Sequence, residues 1–265
     1  MLGKLLKQEF VATTRVMGPL CLVVLALAVC ANFSARILDF SNSTVLSILA
    51  GLVMMAFGFA IIGVCIMSVV LMINRFRTNL MGDEGYVMFT LPVNSHQLVC
   101  SKIMVSTTWF IGTGIVCILA GMIAAFRVDF ITQIFSDIRD ILAQFSTYYA
   151  LNGIAILVET LILVLLACAA CCLIFYAALA VGHSFANHKN LLSVLFFFGF
   201  QFVSQIIGTI AIAAVGDMDF NLWQTMSNME MTHLMMGVGI LVTLIYSAIF
   251  YLVNTFMLEK RLNLE

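Results

Sequence analysis

Long apolar runs alternate with short polar segments along the chain, at 19–33, 45–73, 103–126, 151–181, 191–215 and 234–258. Uncharged stretches beyond about 18 residues mark membrane-spanning helices. Between positions 40 and 74 there is no charged residue at all. The pattern predicts six spans. The second run, about 43 Å long as a helix, exceeds a hydrocarbon layer of about 30 Å, so it is expected to project, toward the cytoplasm. Ahead of the first run, Leu2, Leu5, Leu6 and Phe10 recur at helical spacing with Lys4, Lys7 and Gln8 between them. That predicts an amphipathic helix over 1–17 lying in the membrane interface, broken from the first span at Gly18-Pro19. Over 127–150, Phe130, Ile131, Ile134, Phe135, Ile138, Ile141, Leu142 and Phe145 make an apolar face among Asp129, Gln133, Asp137, Asp140 and Gln144. This reads as an amphipathic helix on the outer membrane surface.

Composition leaves little alternative. Of 265 residues, 63% are hydrophobic and 9% charged, where soluble domains carry about 25% charged residues. Too little polar surface exists to coat a soluble globule. The expected fold is all-α, one polytopic domain over 1–265, with the lipid bilayer as its first partner. A net charge of −1 and the lack of a basic stripe interleaved with aromatics exclude nucleic acid as a partner class. Lysine and arginine set the orientation. With the N-terminus inside, Lys4, Lys7, Arg15, Arg75, Arg77, Lys102, Lys189, Lys260 and Arg261 are cytoplasmic and only Arg36, Arg127 and Arg139 are outside. Both termini are then cytoplasmic in a multi-pass protein of a bacterial cell membrane. The charged leading segment does not fit a cleaved signal peptide and is expected to be retained.

The eight cysteines fall mostly inside apolar runs and are expected to be reduced thiols. Cys168, Cys171 and Cys172 share a helical turn at a spacing open to a soft metal, but packing between helices is the favoured reading, and no metal is expected.

The connection over 74–102 is too apolar for a solvated loop. Asp83 and Glu84 suit a helix start, where unpaired amides favour negative charge, and Pro92 ends that helix within about three turns. Tyr86, Met88 and Phe89 would be presented at the membrane surface. Asn94 and Gln97 read as a capping box opening the third span.

Here the sequence resembles the permease subunits of ATP-binding-cassette exporters with six spans per subunit. The likeness rests on the loop from Arg75 through Gly82-Asp83-Glu84-Gly85-Tyr86 to Thr90-Leu91-Pro92, on Leu5-Leu6-Lys7-Gln8-Glu9-Phe10, and on the six-span layout. The loop pattern is similar to that of members from Gram-positive anaerobes, departing from it at Thr78 and Met81. The resemblance implies a coupling helix over 82–91 that docks on a separate ATPase chain through Gly82, Asp83, Glu84, Gly85, Tyr86, Met88, Phe89 and Leu91. It also implies a second permease subunit, identical or a sister chain, and ATP with magnesium held by the partner ATPase. Transport direction rests on the same resemblance.

The residues themselves agree in one respect. No G-x-x-x-x-G-K-[ST] phosphate loop occurs, so ATP hydrolysis is expected from another chain, and no catalytic residue or cofactor is expected in this one. His96, His183, His188 and His233 lack zinc-protease spacing, and Phe185-Ala186 follows Gly182-His183-Ser184 where a nucleophile elbow needs glycine. All four are expected as solvated loop histidines. Glu159 is the one ionisable residue well within an apolar run, where a charge costs about 3 kcal/mol. It is a candidate for the translocation path. Gln201 and Gln205, four apart with Ser204 beside them, are candidates for the same path or, preferably, for polar contact between helices. The alternative is a self-contained secondary transporter or channel, for which paired intramembrane charges or discontinuous spans would speak. A structural or sensory membrane subunit is the third class.

Overall fold

The structure, a computed structural model, describes residues 2–40, 43–82, 95–126, 133, 136–137, 139–140, 143, 153–185, 187–216 and 227–260. Each apolar run lies in a helix: α1 Leu2–Phe40, α2 Thr44–Met81, α3 Ser95–Ala124, α4 Gly153–Gly182, α5 Lys189–Gly216 and α6 Asn228–Lys260. No strand occurs among the described residues. All six are long and apolar enough to cross a membrane. The protein is a six-span helical membrane protein.

One expectation is corrected at the first helix. No break occurs at Gly18-Pro19, because α1 runs continuously with Pro19 inside it. A proline removes one helical hydrogen bond and costs about 3 kcal/mol in a soluble helix, yet spans tolerate it where neighbouring groups and local adjustments re-satisfy the backbone. The packed face explains the continuity: Glu9, Thr13, Met17, Val24 and Ala28 are all buried at helical spacing on both sides of the proline. Lys4, Lys7 and Gln8 are exposed on a helix that continues without a break into the first span. In α2 the 38 residues span about 57 Å at 1.5 Å per residue, so the helix outruns the hydrocarbon layer as expected. Between α3 and α4, Gln133, Ser136, Asp137, Arg139, Asp140 and Ala143 are helical and exposed; the apolar face expected there lies outside the described residues.

The chain forms two compact units, one of 3–72 and 108–143, the other of 1–2, 73–107 and 144–265. In the former, Met17, Val24 and Ala28 of α1 pack with Val64 of α2 and Ala120 of α3. Polar side chains tie these helices: Trp109 Nε1 donates to Thr13 Oγ1 at 2.7 Å, and Asn32 Nδ2 donates to the carbonyls of Ala124 and Phe126 at 3.2 and 2.7 Å. The asparagine thereby satisfies backbone acceptors freed at the end of α3.

In the latter unit, α4 packs on both α5 and α6. Leu173, Ile174 and Ala177 of α4 and Phe250 of α6 form its core. Tyr176 is almost wholly buried and stacks on Phe76 with ring centroids 4.0 Å apart. Its hydroxyl bonds the hydroxyl of Ser106. Asn254 Nδ2 donates to Leu173 O at 3.1 Å, joining α6 to α4 through an otherwise apolar contact. The alanines at 177, 178 and 180, each nearly inaccessible, let α4 approach its neighbours closely.

Candidate functional site

Helix α6 begins with a capping box. Ser227 N donates to Glu230 Oε2 at 2.8 Å, and Glu230 N donates back to Ser227 Oγ at 3.3 Å. That reciprocal pair sets the first turn and brings His233 onto the second. Glu159 stands two turns into α4. His233 Nδ1 lies 2.9 Å from both Oε1 and Oε2 of Glu159, forming an ion pair if the imidazole is protonated. The two side chains are only 25% and 28% exposed. An ionised carboxylate only accepts, so Nδ1 is the donor of this bond wherever Glu159 is ionised. His233 Nε2 is buried with no hydrogen-bond partner among the described residues.

Compared with known protein families, curated proteins and solved structures, the chain has no match.

The pair changes the reading of Glu159. It is partnered rather than isolated, and the partner is a histidine that the sequence reading placed in a solvated loop. That expectation is corrected for one further histidine and in part for another. His96 is exposed, as expected, but stands in the first turn of α3 and not in a loop, its Nδ1 2.9 Å from the Tyr251 hydroxyl and its ring stacked on the tyrosine. His183 is buried beyond the end of α4, with Nδ1 donating to Leu179 O at 2.9 Å. Burial holds its pKa below the usual imidazole value, the Leu179 carbonyl opposes that, and the positive charges of Lys189 and Arg77 add to it. His188 alone fits the expectation of an exposed loop position, with a left-handed backbone at φ 56°.

Gln201 and Gln205 are both exposed on α5, and neither takes part in the Glu159–His233 contact. Of the residues assigned to coupling, Gly82 lies just past the end of α2. Asp83, Glu84, Gly85, Tyr86, Met88, Phe89 and Leu91 lie outside the described residues, as does Asn94 of the expected capping box. No cluster of three or more metal-ligating side chains occurs among the described residues, Cys168, Cys171 and Cys172 included. The signal that would have located His233 was present in the sequence: Ser227-x-x-Glu230 ahead of an apolar run marks a helix start, which puts position 233 inside the helix.

Proposed function

We propose that this six-span protein is the permease subunit of an ATP-binding-cassette exporter, with both termini in the cytoplasm. It would form the translocation path with a second permease subunit and take its energy from a separate ATPase chain. The observation that carries the reading is the patterned segment from Arg75 to Pro92, set at the end of a helix that outruns the membrane. Helix α2 stays helical through Arg75 and Arg77 to Met81, so it is a stiff rod joined to the loop meant to meet the ATPase. Tyr86 and Phe89 supply aromatic anchors of the kind that dominate interface energies, and Asp83 and Glu84 supply register.

The test is to isolate the tagged full chain from its host membranes in mild detergent and measure associated ATP hydrolysis. Wild-type protein should bring a nucleotide-hydrolysing chain with it. The Tyr86→Ala, Phe89→Ala double variant should lose at least tenfold in that association, about 1.4 kcal/mol, while its size and helicity stay unchanged. Absence of any ATPase from the wild-type preparation counts against the reading.

A second reading has one specific observation in its favour. A carboxylate–imidazole pair between two spans is the equipment of proton-driven carriers. Uptake or efflux in vesicles that follows an imposed proton gradient without ATP would establish a secondary transporter instead.

A further inference from the structure

A cavity of about 390 Å³ lies between the end of α2, the second half of α4 and the start of α5. Its volume falls within the roughly 300–1,000 Å³ of small-molecule sites. Its wall is almost entirely apolar, with Ile73, Leu179, Phe175 and Phe197 among the lining groups. Phe175 and Phe197 stack with centroids 4.5 Å apart and form a flat aromatic side to it. The polar lining is confined to Arg77, Asn190 and Ser193.

That polar lining is suited to an anion. Arg77 is exposed and makes no ion pair among the described residues. Asn190 lies in the first turn of α5, a helix of 28 residues whose leading amides lack intrahelical acceptors and carry partial positive charge. Lys189 stands beside it, and both Lys189 and Arg77 are close enough to His183 to disfavour its protonation. The positive charges gather at one end of an apolar slot that lies within membrane-spanning helices. A free phosphate would use the charges and waste the slot, and a neutral lipid would use the slot and leave the guanidinium unpaired.

We infer that this cavity is a binding site for one anionic phospholipid, its phosphodiester held by Arg77 and Asn190 and an acyl chain lying against Phe175 and Phe197. Basic pockets between spans are where anionic headgroups are recognised, and Arg in particular presents a planar fork to phosphate oxygens. The lipid belongs to the leaflet at the Arg77 end of α2. Because the cavity joins three helices, its occupant would hold the end of α2 against α4 and α5.

Native mass spectrometry of the detergent-solubilised full chain, titrated with phosphatidylglycerol or phosphatidylcholine, tests the site. Wild-type protein should retain one phosphatidylglycerol with at least tenfold preference. Arg77→Gln should abolish the preference, Arg77→Lys should keep most of it, and Val194→Trp, which fills the slot, should remove the bound lipid whatever its headgroup. Inorganic phosphate at millimolar concentration should not displace the lipid. Equal retention of the two lipids by wild-type protein, an unchanged preference in Arg77→Gln, or displacement by inorganic phosphate would each overturn the assignment. If Arg77→Gln fails to fold, the Val194→Trp result decides: retention of phosphatidylglycerol at the wild-type level rules the slot out.

Discussion

His233 Nδ1 sits 2.9 Å from both carboxylate oxygens of Glu159, so α4 and α6 are joined near their starts by a two-pronged polar contact inside apolar surroundings. Nearer their ends the same two helices are joined by Asn254 and the Leu173 carbonyl. Two polar bonds of this kind, one near each end, fix both the parallel direction and the register of the helix pair, which apolar side chains alone specify weakly.

Glu159→Gln keeps the shape and one acceptor oxygen and should fold with nearly wild-type stability. Glu159→Leu leaves His233 without its acceptor and should lower the apparent melting temperature in detergent. A double-mutant cycle with His233→Leu should return a coupling of about 0.6–1.7 kcal/mol, the range of interhelical hydrogen bonds in membranes. Coupling indistinguishable from zero would mean that the contact contributes nothing to the α4–α6 interface.

Gly182 ends α4 in direct contact with α5. A methyl group placed there would stand 2.5 Å from Ser193 N and 2.6 Å from Ser193 Cα, and backbone atoms cannot turn aside as a side chain can. Gly182→Ala should therefore cost about 1–3 kcal/mol, the price of overpacking. Gly112→Ala, at a position with nothing within 4 Å, is the control and should be neutral or slightly stabilising. Thermal unfolding of the two variants side by side checks this.

His183 predicts a pH dependence with a definite sign. Its folded pKa is depressed by burial, so the unfolded chain binds the proton more readily. The stability it contributes is fully present above the unfolded value of about 6.5 and is lost as pH falls from there toward the folded pKa. Apparent melting temperatures at pH 7.5 and 5.5 should differ less in His183→Gln than in the wild type. An identical difference in both would assign the acid sensitivity to other groups.

Orientation is tested with single cysteines in a cysteine-free background. Positions Asp137 and Asn228 should react with an impermeant maleimide applied to intact cells, and Thr78 and Asn187 should not. The motive is the nine-to-three division of lysine and arginine. Labelling of Thr78 from outside would reverse the orientation and, with it, the assignment of the 82–91 segment to an ATPase.

The sequence alone determined the architecture, because hydrophobic run length against bilayer thickness is a one-dimensional measurement and no packing detail can override it. All six spans and the overlong α2 were legible in this way. It also singled out Glu159, since a lone acid among leucines and isoleucines is conspicuous without any fold. Tertiary structure decided what local pattern cannot carry. Pro19 lies inside α1 because a buried face running from Glu9 to Ala28 needs both sides of it, a matter of what α1 packs on. His233, 74 residues from Glu159, became its partner only when α4 and α6 came together. Gln201 and Gln205 looked like bundle glue by spacing, but which side of α5 meets α4 is set by the fit of Phe197 on Phe175 and of Ser193 against Gly182, and that fit leaves both glutamines exposed. In a span hydrophobic on every side, amphipathic pattern gives no bearing on which face is buried, so shape complementarity makes that choice.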